Sequence, residues 1–87
     1  MIGRRVDSWE ELFETPGGYM LSERTDRDVE TKLRWYAMTP NGHLGNLSAH
    51  EVEEHEDGTI TVSPSIRVSD HTGELYHGFL RRGVWEP

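Results

Sequence analysis

The chain has 87 residues, one small domain that buries roughly 60–65% of its unfolded surface. Nine basic against sixteen acidic side chains leave a formal charge of −7, which excludes a non-specific nucleic-acid binder and disfavours anionic membranes. Cysteine is absent, so disulfides, thiol nucleophiles and cysteine zinc sites are excluded too. The apolar runs are far short of the ~20 residues that span a bilayer, and no apolar stretch follows Arg4 and Arg5 as in a secretory signal. A cytoplasmic protein is expected.

In chain order, Asp7–Glu14 reads as a short helix capped by Ser8, with Glu11 at capping-box spacing. Trp9, Leu12 and Phe13 fall at i, i+3, i+4 and predict one apolar stripe, and Thr15-Pro16-Gly17-Gly18 ends the helix. Two turns are not stable alone in water, so the stripe must dock on a sheet. Tyr19–Ser22 reads as a first strand. Residues 23–32 alternate charges around a single Val and predict an exposed, mobile loop. Leu33–Thr39 is a stronger strand, with Leu33, Trp35 and Ala37 on one face and Arg34, Tyr36 and Met38 on the other. Pro40-Asn41-Gly42 ends it.

The run His50–Ile66, HEVEEHEDGTITVSPSI, is the best hairpin signal. A two-residue loop at Asp57-Gly58 would set His55 against Ile60 and Glu53 against Val62, pairing apolar with polar. A three-residue loop, Glu56-Asp57-Gly58, with Gly58 left-handed as a G1 bulge, sets Val52 against Val62 and Glu54 against Ile60. The second register matches better across the strands and is preferred. Pro64 removes a ladder donor and predicts a bulge or an edge position. A loop over Ser69–Gly73, a strand over Leu75–Leu80, a turn at Arg81-Arg82-Gly83 and a last strand at Val84–Glu86 follow. The fold expected is mostly-β α+β: a small curled antiparallel sheet or open barrel with one short helix at the start.

Five histidines raise the question of a metal. His50 and His55 are five apart, which puts them on opposite faces of a strand, so they share an ion only through a bulge or with a distant ligand such as His77. Imidazole with carboxylate would suit zinc. Ser63 and Ser65 flank Pro64 without the glycine pattern of a nucleophile elbow, and no phosphate-cradling glycine motif is present. An enzyme is not expected, nor a cofactor beyond such a zinc. The acidic run Glu51, Glu53, Glu54, Glu56 and Asp57, together with Tyr76, Arg81 and Arg82, is the candidate partner-binding set. Phe79 and Trp85 are expected in the core.

Residues 36–42, 54–66 and 77–85 resemble short proteins of actinobacteria and their phages, related to the family called domain of unknown function 6527. The likeness runs from Trp35 to Pro87 and leaves the first 34 residues outside. Relatives carry cysteines near Pro40-Asn41-Gly42 and before the late histidine, implying a zinc site; this chain has none there, although His77 remains. The label ammonia monooxygenase carried by some relatives implies membrane spans and copper, which these residues do not supply.

Three readings of function remain open. The first is a small acidic binding protein, phage-encoded and directed at a host protein, with the carboxylates of Glu51, Glu53, Glu54, Glu56 and Asp57 mimicking DNA phosphates before a DNA-handling or basic partner. The second is a zinc-binding domain or metal-dependent enzyme using His50, His55 and His77. The third is a structural module, such as an oligomeric virion component.

Overall fold

A computed structural model describes residues 1–25 and 31–87. The elements are β1 (Arg4–Arg5), α1 (Trp9–Glu14), β2 (Gly18–Thr25), β3 (Thr31–Met38), β4 (Leu44–Asn46), β5 (Glu51–Glu54), β6 (Ile60–Asp70), β7 (Gly73–Arg81) and β8 (Val84–Glu86). They form two four-stranded sheets, ordered β1-β2-β3-β4 and β5-β6-β7-β8, which do not close into a barrel. Every pairing is antiparallel except β1 with β2. The mostly-β architecture with one short helix is as expected, but the strands divide between two sheets. Of the segment 23–32, expected as a loop, both ends pair as strand, Glu23 with Leu33 and Thr25 with Thr31. Residues 26–30 lie outside the described residues.

Strand alternation sorts the side chains of β2 and β3 between two apolar layers. Tyr19 and Ala37 join Leu47, Ile60, Val62, Ile66, Leu80 and Trp85 between the sheets, with Trp35 and Val52 packed beside them. Met20, Tyr36 and Met38 face the other way, onto Val6 and Leu12 beneath α1. Ser8 caps α1 from an extended conformation by accepting from Glu11 N–H at 3.1 Å. Glu11 does not complete the capping box; its carboxylate reaches Arg4 at 3.5 Å. Only Leu12 points straight at the sheet. Trp9 and Phe13 stay 38% and 59% exposed, so the expected stripe is buried at one position of three.

The first residues tie the two sheets together. Gly3 N–H donates to Gly83 O at 2.7 Å, and Trp85 N–H donates to Met1 O at 2.8 Å. The next two residues, Arg4 and Arg5, pair with Gly18 and Tyr19 of the other sheet. Across this junction the buried Trp85 indole donates Nε1–H to Gly17 O at 2.8 Å. At Pro64 the register advances from Val62↔Leu80 to Ile66↔Gly78, so β6 spends four residues (66 − 62) where β7 spends two (80 − 78). Since β6 lies inside its sheet, the missing donor is accommodated by this bulge and not at an edge. Arg82 and Gly83, at φ 46° and 76°, form the primed turn that joins β7 to β8.

Gly3 sits where no side chain fits. A Cβ there would lie 2.5 Å from Gly17 O, 2.9 Å from Trp85 Nε1 and 3.0 Å from Gly83 O. Gly3→Ala is expected to destabilise the fold by about 1–3 kcal/mol, read as a lower urea midpoint at unchanged slope. Ile2→Ala, at a side chain 83% exposed, should shift stability by less than about 0.5 kcal/mol. Equal midpoints for the two variants would contradict the junction.

Candidate functional site: the acidic β5–β6 face

The β5–β6 hairpin adopts the three-residue loop. Gly58 is left-handed at φ 86°, its N–H donates to His55 O at 3.0 Å, and His55 N–H donates to Thr59 O at 2.8 Å. Val52 pairs with Val62, Glu53 with Thr61 and Glu54 with Ile60. Ile60 and Val62 are buried and Val52 packs against them, so Glu51 and Glu53 are forced outward beside Thr61 and Ser63. A register slip would bury carboxylates, which is why the hairpin has one register.

Outward side chains and loop make two shallow adjoining concavities. One, of about 430 Å³, is lined by Glu53, Glu54, His55, Glu56, Asp57 and Arg82. The other, of about 390 Å³, is lined by Glu51, Val52, Glu53, Thr61 and Ser63. Arg82 arrives from the β7–β8 turn because Gly83 N–H donates to Ile60 O at 3.0 Å and Arg82 N–H to Thr61 Oγ1 at 3.0 Å. No local pattern in the sequence signals that approach; it follows from the pairing of β6 with β7.

The carboxylates differ in what they do. Glu54 pairs with Arg5, whose Nη1 also donates to Gly58 O at 3.2 Å and whose guanidinium lies 5.1 Å from the Trp35 ring centre. Glu54 is therefore part of the scaffold as well as the face. Asp57 Oδ1 accepts from Thr59 Oγ1 at 2.6 Å and Thr59 N–H at 3.0 Å, and these bonds hold its carboxyl below the usual range. Among the described residues, Glu51, Glu53 and Glu56 form no ion pair.

Of the expected partner-binding residues, Glu51, Glu53, Glu54, Glu56, Asp57 and Arg82 come together here. Arg81 does not join them; it pairs with Glu86 at 2.9 Å and covers the Phe79 ring at 4.5 Å. Tyr76 is half-buried, edge-on to Trp85 at 5.7 Å, and burial raises its phenol pKa. Its ring packs against the core.

The histidines separate. His55 Nε2 meets Thr61 Oγ1 at 2.7 Å, on the acidic face. His50 Nε2 lies 3.1 Å from Ser65 O and His77 Nε2 lies 2.8 Å from Ser65 Oγ, so the Pro64 bulge brings these two onto one residue. A carbonyl only accepts, so His50 donates from Nε2, and its Nδ1 is buried without a hydrogen-bond partner among the described residues. Among the described residues no three His, Asp or Glu side chains converge on a common metal position. Ser65, His77 and Glu74 stand in the order nucleophile, base, carboxylate. However, Glu74 is 3.9 Å from His77 Nδ1, beyond hydrogen-bond reach, and is held by Arg67 at 2.8 Å. It does not orient the imidazole.

Asp57 and Asp70 share one device. Asp70 Oδ1 accepts from Thr72 N–H at 2.8 Å and from Thr72 Oγ1, and its pKa is lowered by the same cause. Because both folded-state values lie below the unfolded value, the stability they contribute is full above the unfolded pKa of about 3.9. It is lost as pH falls through the folded values. Unfolding midpoints should therefore decline below about pH 4, with a shallower decline in Asp57→Asn/Asp70→Asn. An acid limb identical in the double variant would contradict this assignment.

Comparison with protein-family models, with curated proteins and with solved structures returned no match for this chain.

Proposed function

We propose that the chain is a small, non-enzymatic binding protein that engages a basic protein surface through the outward face of the β5–β6 hairpin. One observation carries the reading: Glu51, Glu53 and Glu56 stand outward on a hairpin locked in register, without cations of their own among the described residues. Carboxylates so placed cost little to bring against Lys and Arg, since no internal ion pair has to break first. Arg82, set among them, repels a uniformly basic surface at one point and favours a partner with an acidic or neutral group there. The concavities are shallow and open, which suits a protein surface better than a small substrate.

A specific form of the reading is mimicry of DNA phosphates before a DNA-handling protein, and the resemblance to phage proteins implies a partner in the host. The test is a pull-down from a native actinobacterial lysate followed by affinity measurement on the recovered partner. Affinity should fall steeply between about 50 and 200 mM salt. The Glu51→Gln/Glu53→Gln/Glu56→Gln variant, which preserves side-chain shape at exposed positions, should bind about 10-fold more weakly with a shallower salt slope. Unchanged affinity and slope in that variant would overturn the proposal.

A further inference from the structure

The other side of the molecule carries an apolar strip that the acidic hairpin does not explain. Helix α1 has six residues and is about 9 Å long. The sheet under it has four strands at about 4.8 Å spacing and is about 14 Å wide. The helix rests on β2 and β3. Its rotation is set from both sides: Glu11 reaches Arg4 on β1, while the Trp9 ring meets Tyr36 of β3 edge-on at 4.7 Å. With Leu12 buried beneath, the 100° step between residues places Trp9 and Phe13 on the flank toward β4 and Glu10 and Glu14 on top.

Trp9 and Phe13 stack at 6.0 Å and are 38% and 59% exposed. Leu44 of β4 pairs with Met38, whose side chain belongs to the layer beneath α1, so Leu44 faces the same side and is 41% exposed. Large apolar side chains are normally exposed singly; three on one side of one sheet, two of them aromatic, mark an interaction surface. Because α1 rests over the middle of the sheet, a second helix packed about 8–10 Å from it lies along the β4 edge, beside Trp9 and Phe13.

We propose that this strip docks an amphipathic, basic helix of a partner protein, which lies beside α1 and completes the helical layer over the sheet. Its apolar face covers Trp9, Phe13 and Leu44. Its basic flank meets Glu10 and Glu14, which form no ion pair among the described residues. The same charges disfavour a second copy, because two α1 helices brought together would oppose Glu10 and Glu14 to themselves. They also disfavour an anionic lipid surface. This surface is separate from the hairpin face, so the two proposals stand or fall independently.

The probe is a synthetic amphipathic helix of leucine and lysine, titrated into the isotope-labelled chain and followed by NMR. The expected result is saturable shifts of the Trp9 indole and Phe13 ring signals, with those of the buried Trp85 unmoved. Phe13→Ala, at an exposed ring, should weaken binding about 10-fold or more. Glu10→Gln/Glu14→Gln should weaken it by about threefold and flatten its salt dependence. Absence of shifts at millimolar peptide would overturn the proposal. So would full affinity in Phe13→Ala with loss in the hairpin triple variant, which moves the peptide to the acidic face. A concentration-dependent Trp9 shift without peptide overturns it in favour of a second copy, and binding to neutral phosphatidylcholine vesicles in favour of a lipid surface.

Discussion

The structure depends on the passage of the first five residues between the sheets. Gly3 bonds to Gly83, and the next two residues pair with β2. Its backbone is packed so closely against Gly17, Gly83 and the Trp85 indole that only glycine fits at position 3. The indole bond to Gly17 O fastens the two sheets at the same point. The same carbonyl accepts from Arg4 N–H at 3.4 Å, so the junction strand and the indole converge on one acceptor, and opening the junction removes both bonds together. From it the geometry propagates outward. Gly83 is also the residue that bonds Ile60, so fixing Gly83 fixes the β7–β8 turn against the hairpin and sets Arg82 among the carboxylates.

The acidic face is thus a consequence of scaffold chemistry. Val52 opposite Val62 turns Glu51 and Glu53 to solvent, and Gly58 supplies the left-handed residue on which that register rests. Arg5 comes from the junction strand and links Glu54, Gly58 O and Trp35, tying the hairpin tip to the other sheet. One basic residue is consumed in holding the face in place, while Glu51, Glu53 and Glu56 form no ion pair among the described residues. On the far side a six-residue helix covers only part of its sheet, and Trp9 and Phe13 on the helix and Leu44 on β4 stay exposed. The two surfaces differ in kind, one charged and concave, one apolar with an acidic border.

What could be read from the chain alone was local. Ser8 with Glu11 announced the helix, the i, i+2 faces of Trp35–Met38 sorted correctly, and the Val52–Val62 match selected the hairpin register over its neighbour. What escaped was long-range. A two-residue strand such as Arg4–Arg5 has no periodicity to detect, and Ile2 is exposed, so nothing in the pattern announces that this segment joins two sheets. The meeting of His50 and His77 at Ser65 required knowing how many residues the Pro64 bulge absorbs. Of the residues grouped with the acidic run, Arg82 stands among it, whereas Tyr76 lies edge-on to Trp85 and Arg81 pairs with Glu86 over the Phe79 ring. Composition cannot distinguish those outcomes, because Tyr and Arg serve both.

The account turns on the junction holding both sheets, and with them the acidic face, as one body. Native-state hydrogen exchange measures this directly at the amides of Gly3, Val6 and Trp85, which donate to Gly83, Tyr19 and Met1. These amides should be as protected as those of Ile60 and Leu80 in the core and exchange only through global unfolding. Rapid exchange of Gly3 and Trp85 while Ile60 and Leu80 stay protected would show the sheets to be joined some other way and would contradict the account.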